Sequence, residues 1–363
     1  MHPRIDMHCH VVGHGDDVTG EDDIYFNPHD NNHWLTRILY SMVEKDIIKM
    51  GGEEGHVEDG HLTCREYLDF LAARLRASEE IDAVVLLGLD AVFNPDGSMD
   101  KVRTDVYVSS RFLADQVDRL NGTMQEKRFL LGASVHPDRP DWEEQLSEAI
   151  ARGAVLIKLI PSTQHIDLDA RDGDPYRYER YFRMLADNGV PLLCHVGPEY
   201  SYPEGIRNAE LDDYNILDAP LACGVTVIAA HCASPVFPVI DRDTIDEFAG
   251  YMEKANNRHA KNTGYGMLYG DTSAFTLTSR LPFIRHLRER FPPEWLLNGS
   301  DFPLPIDGWV HNPLFSSSIS FSEHLEIRRT TNPFDKDVRV KRAHGFSDSI
   351  LTNPGTVLRI PTA

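Results

Sequence analysis

The stretch Arg4-Ile5-Asp6-Met7-His8-Cys9-His10 gives the first instance of the pattern that decides the fold: a short apolar run that ends in ligand-type side chains. On a strand, histidines at i and i+2 point to the same face. Two neutral imidazoles on one face can grip a single divalent metal. In a chain with 17 histidines such a match also arises by chance, and two core or surface histidines are the alternative. What decides between them is whether other strands end in the same way.

Working outward, a long polar segment follows, rich in Gly, Asp and Asn, and then a helical pattern with Trp34, Ile38, Met42 and Ile47 on one side. Gly51 to Gly60 reads as an acidic loop. Thr63-Cys64-Arg65-Glu66 has the form of a capping box, with Tyr67, Leu68, Leu71 and Leu75 following at helical spacing. Residues 11–62 are therefore expected to be a long insertion after strand one, placed where a substrate-covering lid belongs. His14, His29, His56 and His61 fall within it and read as loop polarity.

Beyond it a unit repeats: apolar run, polar turn, amphipathic helix. The runs are Ala83–Leu89, Phe129–Val135, Ala154–Ile160, Pro191–Val196, Val225–Ala230, Met267–Thr272 and Trp295–Asn298, eight with the opening one. Helical patterns lie at Trp142–Ala151, Tyr176–Asn188, Thr244–Asn256 and Ser279–Phe291, the third behind a second capping-box form, Thr244-Ile245-Asp246-Glu247. Near-continuous apolar strands alternating with helices indicate a parallel sheet covered on its faces. Eight such units favour a closed α/β architecture, a single (β/α)₈ TIM barrel. Residues 304–363 form a C-terminal extension with a last helix near Lys341–Leu351, and no composition shift marks a second domain.

Composition narrows the partners. A formal charge of −21, from 57 acidic and 36 basic residues, argues against nucleic acid and anionic membrane. Five widely spread cysteines without a Cys-X-X-Cys read as reduced, buried thiols. No apolar run approaches the length of a membrane helix, and the strand-like start leaves no room for a signal peptide. A cytoplasmic protein with a small-molecule substrate is expected, with a homo-oligomer as a candidate state. There is no Gly-X-Ser-X-Gly elbow, no Walker A loop and no His-Glu-X-X-His, and Gly13-His14-Gly15 lacks the third glycine of a dinucleotide fingerprint.

The strand ends then answer the opening question. Strand five runs into His195, strand six into His231, and strand eight through Gly299-Ser300 into Asp301. In a (β/α)₈ barrel these ends converge on one mouth, where such barrels carry their active sites. Histidines and one carboxylate there make a first-row divalent metal site, with Zn²⁺ the expected ion. Any one of these residues could be a satisfied core polar group. Four separate strand ends are hard to explain that way.

Lys158 closes strand four, where an unpaired ammonium would be costly. It is read as an ion pair with Asp301 or another carboxylate, as a carbamylated bridge between two metals, or as a substrate contact. His136 after strand three, His165 after strand four, Trp309 and His311 after strand eight, and Arg207 beyond strand five are candidate substrate-binding residues, loop polarity being the alternative for each.

Together, His8-Cys9-His10, Lys158, His195, His231-Cys232 and Gly299-Ser300-Asp301-Phe302-Pro303 resemble the amidohydrolase superfamily. Within it the chain is most similar to the amidohydrolase-related branch that also contains the aminocarboxymuconate semialdehyde decarboxylases. The resemblance spans roughly residues 5–305. It implies one metal bound by His8, His10, His195 and Asp301, with His231 and Asp301 as the catalytic pair. In two-metal members the Lys158 position is a bridging carbamate. The expected activity is hydrolysis of an amide, lactone or ester carbonyl by a metal-activated water. Non-oxidative decarboxylation of a small carboxylated substrate is the alternative, and a non-catalytic metal-binding protein is the third reading.

Overall fold

The computed structural model describes residues 2–16, 19–20, 23–26, 41, 44–45, 47, 62–94, 96–171, 176–198, 207–236, 239 and 241–361. Ten strands occur among them: β1 (Ile5–His10), β2 (Ile24–Phe26), β3 (Ala83–Leu87), β4 (Val106–Val108), β5 (Arg128–Ala133), β6 (Leu156–Leu159), β7 (Leu192–Cys194), β8 (Val227–Ala229), β9 (Leu268–Asp271) and β10 (Leu296–Leu297). Eight of them form one parallel sheet in the order β1-β3-β5-β6-β7-β8-β9-β10. Backbone bonds from Met7 N to Asn298 O (2.9 Å), from Asp301 N to His8 O (2.8 Å) and from His10 N to Phe302 O (2.8 Å) join the first strand to the end of the last. The sheet thus closes into the expected (β/α)₈ barrel, and β2 and β4 form a separate antiparallel pair.

The strands are buried on both faces, which is why they read as unbroken apolar runs rather than alternating ones. Ile5, Met7, Val85, Leu156, Leu193, Ile228 and Leu297 fill the lumen, joined by Leu358 and Ile360 of the tail. The outward faces pack against the helices in a larger second cluster. Those helices are α1 (Cys64–Ala77), α2 (Ser110–Asn121), α3 (Trp142–Ala151), α4 (Pro161–Gln164), α5 (Glu179–Asn188), α6 (Asp218–Ala222), α7 (Asp243–Lys261) and α8 (Ile284–Arg290). After β10 come α9 (Phe321–Arg329), α10 (Pro333–Ala343) and α11 (Ser349–Val357).

Local chemistry sets several boundaries. Thr63 is the N-cap of α1, with both halves of the capping box to Glu66 formed. The second capping box is corrected: Thr244 lies inside α7, because Asp241 one turn earlier accepts its backbone N–H and its hydroxyl. The last helix is also corrected. No helix spans Lys341–Leu351; α10 ends at Ala343, Gly345 takes the left-handed φ of 85°, and α11 starts afresh at Ser349. Of the insertion, Trp34, Ile38, Met42, His29, His56 and His61 lie outside the described residues, whereas Ile47 is buried and His14 bridges to Thr63. Among the described residues no helix is long and apolar enough to cross a membrane.

Candidate metal centre

The closure of β1 against the end of β10 builds the site. His8 and His10 alternate on β1 with the buried residues that hold it, and Asp301 stands four residues beyond β10. Asp301 has a left-handed φ of 65°, and His231, Cys232 and Ala233 after β8 have φ of 54°, 49° and 51°. None of these is glycine, so each costs of order 1–3 kcal/mol, and the sharp turns direct the side chains into the mouth. Gly299 permits the approach of the two strand ends, since a Cβ there would stand 2.6 Å from His8 Cβ.

Three ligand atoms converge. His8 Nε2 and His10 Nε2 are 3.2 Å apart, and Asp301 Oδ1 lies 3.1 Å from His10 Nε2 and 3.4 Å from His8 Nε2. His8, His10 and Asp301 are the group of the described residues whose donor atoms all fall within 4.8 Å of one another. Ligands held about 2.0–2.1 Å from one ion are separated by about 2.8–3.4 Å at right-angled to tetrahedral geometry, so the spacing fits a single first-row cation. The donor chemistry fits as well. His8 Nδ1–H donates to Asp271 Oδ2 at 2.6 Å, which leaves Nε2 a lone pair facing the Asp301 carboxylate, with the Lys158 ammonium 3.4 Å away, and a metal cation would suit the two facing acceptors.

Asp271 and Asp6 are the residues that sequence reading missed. Asp271 ends β9, is fully buried, and accepts from His8 Nδ1, His231 N (2.8 Å), Ser273 N (3.1 Å) and the Ser273 hydroxyl. Burial alone would raise its carboxyl, but the His8 ring beside it brings it below the usual carboxylate range. Asp6 Oδ1 accepts from His8 N (3.2 Å) and Ser300 N (2.9 Å), bracketing the two ligand-bearing segments, and burial pushes its carboxyl up to about 7. The available signal was the same for both as for Lys158: a charged residue inside an apolar strand.

The other expected residues divide. His231 is buried in the cluster, its ring stacked on His8 at 5.4 Å and its Nε2 3.9 Å from Asp301 Oδ2. Its Nδ1–H donates to Ser273 O at 3.0 Å, and burial lowers its pKa well below the ordinary value, so the ring is neutral. Burial, then the Lys158 ammonium, lowers His8 to about 4. Asp301 is buried too, which would raise its carboxyl, yet His231, His10 and His8 around it hold it well below the usual range. His195 is buried with its ring edge-on to His231 at 5.2 Å and is not one of the three converging residues, and Lys158 Nζ lies 3.4 Å from His8 Nε2.

His136 is buried, and its ring is used by backbone: Nε2 bonds Gln164 O at 2.9 Å and Nδ1 accepts from Asp138 N at 3.0 Å. In this structure His136 thus ties two loops together. His311 is fully buried, with Nε2 on Thr276 O and Nδ1 on His344 Nε2. His165 sits at the C-cap of α4 with a left-handed φ of 59°. Trp309 is exposed, stacks on Arg328, and lines a cavity of 590 Å³ with Arg74 and Lys336. Arg207 pairs with Asp212 at 2.7 Å and lines a second cavity of 580 Å³ together with Gly197 and Ala233, two residues beyond His195 and His231.

Comparison with known proteins bears on the fold and the family. No curated protein matches the sequence. Among solved structures, a protein of Pseudomonas putida provisionally described as a 2-pyrone-4,6-dicarboxylic acid hydrolase is 14% identical with a TM-score of 0.52, covering 100% of both chains. The 5-carboxyvanillate decarboxylase of Sphingomonas paucimobilis is 13% identical with a TM-score of 0.51, covering 99% of this chain and 100% of that one. At such identities the likeness is one of fold. The family model described as Amidohydrolase matches residues 5–314, the span that contains every strand of the barrel and all three converging ligands, and the chain belongs to the amidohydrolase family.

Proposed function

We propose that the protein is a metal-dependent hydrolase that opens an amide, lactone or ester bond of a small molecule. The observation that carries this reading is the convergence of His8 Nε2, His10 Nε2 and Asp301 Oδ1 at 3.1–3.4 Å. A single Zn²⁺-class ion bound there supplies Lewis acidity and brings the pKa of a water toward ~7. His8, His10 and Asp301 would hold it, with His195 as the candidate fourth ligand.

The chain's own residues then manage the proton. Asp301 Oδ2 faces His231 rather than the ligand group, and a carboxylate held ionised there can take the proton of the attacking water. The lone pair of His231 Nε2, fixed by the bond from Nδ1 to Ser273 O, orients that water and relays the proton toward the leaving group. The cavity beyond His195 and His231 has the volume of a small-molecule site. A protein provisionally described as a hydrolase and a decarboxylase share this fold, and the Asp301–His231 pair, read as a base beside a neutral relay, supports the hydrolytic reading.

The test has two parts. His8→Ala and Asp301→Ala are each made, and metal content is measured by elemental analysis; unchanged stoichiometry in both sinks the metal centre. The metal-loaded protein is then incubated with lactones, esters and carboxylated aromatics. Acid release is expected. CO₂ without any hydrolysis product would move the assignment to carbon–carbon lyase chemistry.

A further inference from the structure

The segment matching the family ends at residue 314, yet one side chain from beyond it reaches under the metal centre. Lys341 on α10 is almost fully buried, and its ammonium donates to Asn298 Oδ1 (2.9 Å), Gly299 O (2.7 Å) and Asp337 Oδ2 (2.5 Å). All three donors are thus used, two of them on the short segment that leads from β10 to Asp301. Asp337 is in turn fixed by the Thr276 hydroxyl at 2.9 Å.

The rest of that segment is held from the other side. Asn298 N donates to Ile350 O (3.0 Å), Asn298 Nδ2 to Ile5 O (3.0 Å), Ser300 N to Asp6 Oδ1 (2.9 Å) and Asp301 N to His8 O (2.8 Å). Gly299 has no side chain, and its carbonyl is bound by Lys341. The helix behind it is anchored as well: Asp335 accepts from Ser78 Oγ, Glu79 N and Glu80 N at the end of α1. A buried cation on a docked helix is an expensive way to hold a turn unless the turn's position matters.

We infer that Lys341 is a positioning residue for the metal centre, fixing the Asn298-Gly299 turn so that Asp301 meets His8 and His10, and that the C-terminal extension is therefore part of the site. This rests on the metal-hydrolase reading above. The effect acts through Asp301; Lys341 touches neither metal nor substrate.

The probe is Co²⁺, titrated into full-length apoprotein in competition with a chelator, with the visible d–d bands recorded. The variants are Lys341→Met, Lys341→Met/Asp337→Asn, which leaves no unpaired buried charge, and Lys341→Arg. In variants that retain the wild-type far-ultraviolet spectrum, loss of the ammonium is expected to weaken Co²⁺ binding about tenfold or more and to shift the bands, as supporting residues of metal sites do. Lys341→Arg, which can donate to the same oxygens, is expected to lie closer to wild type. Wild-type affinity and spectrum in any folded variant lacking the ammonium overturn the inference. If none of those variants folds, Lys341 serves stability alone, which overturns it equally. His8→Ala is titrated in parallel: if it also binds Co²⁺ like wild type, the metal reading itself has failed, whereas loss in His8→Ala alone rejects only the role of Lys341.

Discussion

Asp271 Oδ2 accepts a 2.6 Å hydrogen bond from His8 Nδ1, while its other oxygen accepts the backbone N–H of His231. One buried carboxylate thereby sets the tautomer of a proposed metal ligand and the position of the proposed proton relay. Asp271→Asn keeps the shape and removes the charge. It is expected to weaken metal binding about 10–100-fold, measured by calorimetric titration, with the far-ultraviolet spectrum unchanged. Undiminished affinity would show that the bond orients nothing of consequence.

Gly299→Ala tests the approach of the first and last strands. The added methyl carbon would stand 2.6 Å from His8 Cβ and 3.2 Å from Ser273 Cβ, neither of which is the end of a flexible chain. His8 must shift, so the variant should lose metal affinity about tenfold or more. A variant that keeps its affinity while losing stability would assign the glycine to packing alone.

Leu193→Ala addresses the lumen. Leu193 is fully buried on β7 among Ile5, Leu156, Ile228 and Leu297, and no neighbour can collapse into the gap without moving a strand. A loss of about 2–5 kcal/mol is expected in urea unfolding of the apoprotein. A change under about 1 kcal/mol would mean the lumen is less tightly packed than interiors of this kind.

His344 gives a dependence on pH away from the metal. His311 Nε2–H donates to Thr276 O, so His311 Nδ1 is the acceptor for His344 Nε2–H at 3.1 Å, and both rings are neutral. Burial, then His311 and Arg288, lowers His344 to about 3. In the unfolded chain the imidazole takes its proton near pH ~6.5, so below that the unfolded state holds more protons and stability falls as pH falls. The contribution is at most about 1.4 kcal/mol per pH unit. Urea midpoints at pH 7.5, 6 and 5 should fall less steeply in His344→Gln than in wild type. Parallel slopes would contradict the assignment.

The elements legible in the sequence were those whose signal is local. Trp142–Ala151 is a helix over the expected residues, because its apolar spacing and flanking turns need nothing else to be read. The strand ends at His8, His195, His231 and Asp301 were legible because an apolar strand that stops on a ligand-type residue is conspicuous in one dimension. Thr244 misled because two residues compete for one helix start, and Asp241, an anion, wins. For His136 and His311 only the fold reveals which protein groups meet their ring nitrogens. Asp271 carried the signal of a charge inside an apolar strand but not the identity of its partner, and Lys341 carried no signal, since its partners are distant in sequence.

The seam between the first strand and the last also bears on how the molecule comes into being. Asp6 and Ser300, joined across it, are 294 residues apart in the chain. On the ribosome His8 and His10 emerge before the rest of the barrel, and Asp301 only after every strand of it has been made. No nascent chain shorter than that can assemble the three-atom cluster. Closing so long a loop is among the slow events of folding. Completion of the site therefore coincides with completion of the barrel, and a fragment released early would carry half a metal centre and none of its chemistry.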